Sequence, residues 1–315
     1  KRQHRERHAA ATVLTGVIAE PGLLGRIVRD EQGAFARIVE ARDASPEELA
    51  LTEFNTGLYV FDAAALRPAL AGLTTDNDQG EEYLTDALGG IAASGGRIEA
   101  VCAADPRSLL GVNDWTDVAA AVSVIRRRIC NEHMRRGVRI TDPDTTVIEA
   151  DVEIAPDARV YPFSHIGIGC RIGAGAKVGP FARLRGGAVL EAGAEIGNFV
   201  EVKGSIVGPG AKAKHLTYLG DAEVGAKANV GCGVVTANYD GKRKHKTIIG
   251  PEASIGSGTI LVAPVEVGRG GTTGANAVVL PKDGVPDGAT VVGVPARVLP
   301  TNKSAEDASS DEETA

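Results

Sequence analysis

The chain is poor in aromatic side chains, which make up 4% of its 315 residues, and it holds one Trp and one Met. A core of ordinary size must then be built from Val, Ile, Leu and Ala. No run of about 18 apolar residues occurs, which excludes a hydrophobic transmembrane helix. No signal-peptide pattern starts at Lys1, and no glycine-rich phosphate loop follows it. Clustered cysteine is missing too. Cys102, Cys130, Cys170 and Cys232 lie far apart, so there is no CxxC pair for zinc or redox chemistry. Free thiols in a reducing, cytoplasmic compartment are expected rather than disulfides. Positive charge is not in excess: the net charge of −7 argues against nucleic acid as partner, and no membrane partner is expected.

Glycine is abundant, at 40 residues, and its regular placement suggests repeated tight corners. Residues 1–113 read as α/β, a sheet covered by helices. Strands are expected at Thr12–Ile18, Phe35–Glu40, Thr56–Phe61 and Ile98–Ala103, with helices at Ala63–Ala71 and Glu81–Ala93. Residues 114–137 read as a linker helix, capped by Asn113 or Asp114, with Val118, Val122, Ile125 and Ile129 at helical spacing. Arg126–Arg128 and Arg135–Arg136 load its C-terminal half with charge that suits the helix dipole.

From Ile148 an aliphatic residue recurs at every sixth position: Ile154, Val160, Ile166, Ile172, Val178, Leu184, Leu190, Ile196 and Val202. Small residues keep step four places on, as at Ala158, Ser164, Cys170, Ala176, Ala182, Ala188 and Ala194. A shorter step resets the phase at Val207, and a loop is expected over Thr236–Ile248 before Ile249 resumes it. This period is the signature of a parallel β-helix, in which each aliphatic stacks on its counterpart one coil above. About 21 steps make about seven coils. The prism is assigned to 138–300, and the acidic tail at 301–315 is expected to be disordered.

Chemistry concentrates where a regular wall is interrupted. Ala213–Asp221 places an imidazole, a hydroxyl, a phenol and a carboxylate in a few residues of the repeat. Asn238–Lys246 reads as a hairpin-like loop with a turn at Asp240-Gly241, either a solvated tip or an anion contact. Arg185 and Lys203 stand a full coil apart on one face, suited to a phosphate. His215 falls on another face. The three do not obviously converge in a single prism but could do so across an interface between neighbouring prisms, so a symmetric oligomer is expected. A histidine there can act as a general base near neutral pH.

The segments GPFARLR (179–185), GNFVEVK (197–203), KHLTYLGDAEVG (214–225), NYDG (238–241) and LVAPVEVG (261–268) resemble the bacterial bifunctional N-acetylglucosamine-1-phosphate uridylyltransferase/glucosamine-1-phosphate N-acetyltransferase family. The likeness runs from about Ala11 to Pro295. It implies a trimeric, left-handed β-helix that acetylates glucosamine 1-phosphate with acetyl-CoA on the route to UDP-N-acetylglucosamine. On that resemblance His215 is the base. Arg185, Lys203, Tyr218, Asn229 and Lys244 contact the sugar phosphate. Cys232, Asn238, Tyr239, Ser257 and Ala275 contact acetyl-CoA, with the Cys232 amide facing the developing oxyanion. In the first part of the chain Gly25, Glu40, Asn55 and Asn113 match contacts to N-acetylglucosamine 1-phosphate or UTP, and Asn113 matches a Mg²⁺ ligand.

The glycine-rich loop and magnesium-binding Asp of the family's nucleotide site have no match here, so uridylyl transfer is expected only if that front half is supplied. Lys214 precedes the histidine where a small residue is common, and its charge is expected to favour a neutral imidazole. Three rival readings remain. One is a sugar-1-phosphate nucleotidyltransferase whose β-helix only oligomerises or regulates. The second is a zinc enzyme using His165, His215 and His245, and the third is an inactive scaffold.

Overall fold

The computed structural model describes residues 1–76, 80–109, 111–112 and 114–299. The readings of Asn113 and of the acidic tail therefore fall outside the described residues. The chain divides into two compact units, Lys1–Val122 and Ser123–Ala315.

The first unit is built on a five-stranded sheet. Ala11–Val17 lies between Glu53–Phe61, to which it is antiparallel, and Ile98–Cys102, to which it is parallel. Arg26–Arg29 and Phe35–Val39 extend the sheet on the other side as an antiparallel hairpin. Its turn is held by Asp30, whose carboxylate accepts the amides of Gln32 (3.0 Å) and Ala34 (2.8 Å). Ala11, Leu88 and Ile91 form a small buried core. The expected helix at Glu81–Ala93 begins only at Asp86.

The helix Trp115–Arg135 starts at Asp114, whose carboxylate accepts the amides of Thr116 (2.7 Å) and Asp117 (3.1 Å). Its apolar stripe is only partly used. Val122 and Ile125 remain 55% and 52% exposed, while Ile129, Cys130 and Met134 pack on the core of the second unit.

That second unit is a prism with faces of ten, eight and seven strands, traversed in that order. Most strands are two or three residues long and pair in parallel with the strand one coil away, as Ile166 does with Ile148 and Leu184. The hexad aliphatics line the axis: Ile166, Leu184, Val202 and Leu219 are fully buried. The small residues at Ala158, Cys170, Ala176, Ala188 and Ala194 are buried as completely. Burying one large aliphatic contributes about 1.5–3 kcal/mol, so a continuous ladder stabilises a domain that has few aromatics. The prism exceeds about seven coils because Arg139–Ile140 opens it before Ile148 and Thr290–Val292 extends it past Val279.

The loop expected from Thr236 starts later. Thr236 is itself a fully buried rung, between Tyr218–Gly220 and Ile260–Val262. Its hydroxyl accepts the Gly220 amide (2.7 Å) and faces the Gly220 carbonyl (3.1 Å), so a polar group occupies an aliphatic position without an unmet hydrogen bond. At the far side, Thr247 already belongs to the strand Thr247–Ile249.

Candidate active site

One edge of the prism, where the ten-stranded face turns into the eight-stranded face, carries His215. The strand Lys212–His215 ends there and Tyr218–Gly220 begins the next face. Along this edge Phe163, Phe181 and Phe199 stack, with ring centroids 4.8 and 5.1 Å apart. Leu216 takes the next place, and the turns at Cys232-Gly233, Ser257-Gly258 and Ala275-Asn276 follow coil by coil. Backbone bonds tie them: Gly233 donates to Leu216 (3.0 Å), Gly258 to Cys232 (2.7 Å) and Asn276 to Ser257 (2.8 Å). The structure thus brings His215, Cys232, Ser257 and Ala275 onto one edge. The Cys232 carbonyl is engaged, while its amide has no partner among the described residues. Asn229 lies on the ten-stranded face, paired with Lys212 and Ser254.

The imidazole of His215 is fixed through Nδ1, which lies 2.9 Å from the Asn198 side-chain oxygen. Lys214, expected to act on the imidazole, is instead held by Glu195 at 3.2 Å, on the carboxylate that also binds Lys177.

A second edge, between the eight- and seven-stranded faces, gathers the cations. Arg185 pairs in register with Lys203, as the sequence spacing required. The Arg185 Nε donates to Glu201 (2.6 Å), and the Lys203 ammonium reaches both oxygens of Asp221 at 3.3 Å. Asn238 is buried and donates its side-chain amide to the same Asp221. Lys244 stands against Lys203. The Lys203 side chain beside it holds Lys244 below the ordinary lysine range, while Lys203 is raised by its contact with Lys244 and by Asp221. Three cations thus face two carboxylates, leaving a positive surplus suited to an anion. Tyr218 begins the strand between the two edges, its hydroxyl lying over Gly220.

The loop that supplies Lys244 is a hairpin, with a bridge between Tyr239 and Lys244 and a positive φ of 93° at Gly241. Tyr239 is exposed, and its hydroxyl donates to the Gly241 carbonyl at 2.7 Å. Asp240 organises the turn. It accepts the amides of Lys242 (2.7 Å) and Arg243 (2.6 Å) and pairs with the His245 ring (2.7 Å). These hydrogen bonds, the Arg243 amide first, hold its carboxyl at about 2.

In the first unit, the structure brings together Gly25, Glu40 and Asn55. The Asn55 amide donates to the Gly25 carbonyl (2.8 Å), and a side chain at position 25 would meet the Glu40 carboxylate at 3.2 Å. Burial raises Glu40 above the usual carboxylate range, against a hydrogen bond from Thr85. Glu40 lines a cavity of about 470 Å³ together with Asp43, Tyr83, Thr85 and Asp86. The Mg²⁺ ligand implied at Asn113 lies outside the described residues. No three His, Cys, Asp or Glu side chains converge as a metal site among the described residues. His165 pairs with Glu149 and His245 with Asp240, each apart from His215. All four thiols are free. No described helix is long and apolar enough to cross a membrane.

Sequence reading had passed over Asn198 and Glu201. Both lie in the quoted segment GNFVEVK, at positions where a plain repeat needs no polar group.

A stack of short parallel strands with these turns defines a left-handed β-helix of the hexapeptide transferase class. The family model for the bacterial transferase hexapeptide (six repeats) matches residues 169–204. The chain is 43% identical to the bifunctional protein GlmU of Bifidobacterium longum subsp. infantis, over 88% of this chain and 67% of that protein. It is 42% identical to the bifunctional protein GlmU of Caldanaerobacter subterraneus subsp. tengcongensis, over 93% of this chain and 70% of that one. The chain belongs to the GlmU family of bifunctional proteins, and spans about two thirds of the length of these relatives. Among solved structures, an Arabidopsis UDP-N-acetylglucosamine acyltransferase overlaps at a TM-score of 0.36 and 14% identity, over 51% of this chain and 65% of that one, a likeness too low to argue from.

Proposed function

We propose that the prism transfers the acetyl group of acetyl-CoA to the amine of glucosamine 1-phosphate, giving N-acetylglucosamine 1-phosphate and CoA for UDP-N-acetylglucosamine synthesis. The observation that carries this reading is the first edge: His215 is fixed through Nδ1, and the unpartnered Cys232 amide follows one coil on. The His215 Nε2 removes a proton from the sugar amine. The amine nitrogen then attacks the thioester carbon. The Cys232 amide donates to the oxygen that becomes negative, a contribution of about 2.7–4 kcal/mol where such donors have been removed. The C–S bond breaks, and the CoA thiolate leaves with the proton returned by His215. Ser257, Ala275, Asn238 and Tyr239 line the CoA, and Arg185, Lys203, Tyr218, Asn229 and Lys244 hold the sugar phosphate.

His215, Cys232, Ser257 and Ala275 sit on one edge of the prism, and Arg185, Lys203 and Asn238 on another. The strand Tyr218–Gly220 separates them by about 10 Å at ~3.3 Å per residue. One small substrate reaches both sets when the first edge of one prism meets the second edge of another, so the active form is a homotrimer with shared sites. In the first unit, Gly25, Glu40 and Asn55 are assigned to a sugar-phosphate or UTP contact.

The test is thiol release from acetyl-CoA in the presence of glucosamine 1-phosphate. His215→Ala lowers the rate by about 10²–10⁴-fold and leaves CoA binding in place. A variant within a few-fold of the parent chain would remove the base assignment.

A further inference from the structure

We propose that Asn198 is a positioning residue for His215: its side-chain oxygen keeps a proton on Nδ1 and so leaves Nε2 as the basic nitrogen on the first edge. The proposal rests on His215 being the base.

The geometry comes from the backbone. Strands on the ten-stranded face are mostly two residues long, as in Lys177–Val178 and Asn229–Val230. Glu195–Asn198 and Lys212–His215 are each four long. The extension puts Asn198 in register with His215, directly opposite on a parallel neighbour about 4.8 Å away. Gly197 permits it: a Cβ there would stand 2.0 Å from the Lys214 carbonyl oxygen, so a larger residue would force the two strands apart. Asn198 grips the segment twice, since its backbone carbonyl also accepts the Leu216 amide at 3.0 Å.

The chemistry follows from what an amide oxygen can do. It only accepts, so the ring nitrogen 2.9 Å away must be the donor. A neutral imidazole carries one ring proton, and placing it on Nδ1 leaves the Nε2 lone pair free. An unrestrained imidazole in water favours the opposite arrangement, which offers no base at Nε2. Asn198 reverses that preference without adding charge. Of the charged groups on the strands packed around it, Lys177, Glu195 and Lys214 are paired with one another, and Lys212, on the same strand as His215, is an exposed lysine. The ring's hydrogen bond among the described residues is the one to Asn198.

The experiment compares the full chain with Asn198→Ala, Asn198→Asp and His215→Ala. It reads kcat and KM across pH, together with the ¹⁵N shifts of labelled histidine. Asn198→Ala is expected to lower kcat by about 10–100-fold, the range for outer partners that orient a functional histidine. The KM for acetyl-CoA should hold, and the His215 signal should move toward the Nε2-protonated form. Asn198→Asp keeps an acceptor in place. It should retain the Nδ1-protonated ring and recover most of kcat at alkaline pH. The acidic limb of its kcat/KM profile should move to higher pH, because a carboxylate favours the imidazolium. A merely structural role would move neither the ring signal nor the pH limb. The proposal is overturned if Asn198→Ala stays within twofold of the parent chain, or loses activity with the ring still protonated on Nδ1. It is equally overturned if Asn198→Asp performs no better than Asn198→Ala. A fully active His215→Ala would remove the base reading itself, whereas an inactive His215→Ala beside a normal Asn198→Ala would remove only this proposal.

Discussion

Asp240 shows how one carboxylate can organise a functional loop from its surface. Its contacts to two backbone amides and to His245 are bonds to the charged form, which is why its carboxyl is held at about 2 rather than near the usual ~3.9. A depressed carboxyl contributes order that is fully present above the unfolded value, and this order is lost as pH falls through about 2. Near neutral pH the loop is therefore held, and Lys244 with it. Asp240→Asn removes the charge and weakens these bonds. The expected outcome is faster tryptic cleavage at Lys242, Arg243 and Lys244, with the prism itself intact. In the parent chain, protection of the Lys242 and Arg243 amides, taken relative to the intrinsic exchange rate at each pH, should fall only below about pH 4. Unchanged cleavage in the variant would mean that the hairpin is held by its backbone bonds and the Tyr239 hydroxyl rather than by the Asp240 carboxylate.

At the scale of elements, the helix Trp115–Arg135 joins the prism core through its last turns, where His133 is buried. Its Nδ1 has no hydrogen-bond partner among the described residues. Burial, then the Arg136 charge, lowers its pKa against a smaller opposing effect of Glu132. A histidine with a lowered folded pKa stabilises fully above its unfolded value, near ~6.5, and that stability is lost as pH falls through the lower folded value. His133→Leu removes the proton uptake. The urea midpoint of the variant should fall less than that of the parent chain between pH 8 and pH 5, and parallel curves would exclude His133 as the cause. The same scale shows what a sequence reveals. The hexad was legible because each coil must put an aliphatic on the axis, and Ile148 to Val202 do so without a gap. Thr236 was misread because hydrophobicity was the only signal used, while its hydroxyl is satisfied by backbone groups of the neighbouring coil. The strand Arg26–Arg29 was missed because it is short and begins and ends on Arg. The short helix Pro46–Leu49 had left a signal that went unread, the Ser45/Glu48 capping box. Within the site, the pairing of Arg185 with Lys203 followed from coil length, whereas the bond between Asn198 and His215 depended on strand extension and was invisible to a six-residue period.

At the scale of the whole molecule, the question is why one prism divides its chemistry between two edges. His215 and the Cys232 turn lie on the first, and Arg185, Lys203 and Lys244 on the second. A β-helix wall cannot fold inward to bring its edges together, because the axis is filled by Leu184, Val202 and Leu219. On the proposed reading, a neighbouring copy supplies the missing half of each site. The exposed ladder of Phe163, Phe181, Phe199 and Leu216 on the His215 edge gives such a neighbour an apolar surface to cover. Shared sites make a prediction that independent sites do not. His215→Ala and Lys203→Ala should each be nearly inactive alone. Unfolded together in equal amounts and refolded as mixed trimers, they should recover about a quarter of the parent activity, because each site needs an intact His215 from one chain and an intact Lys203 from the next. A mixture that stays as inactive as its parts, while mass measurements show mixed trimers, would place both residues of each working site in one chain and exclude the shared arrangement.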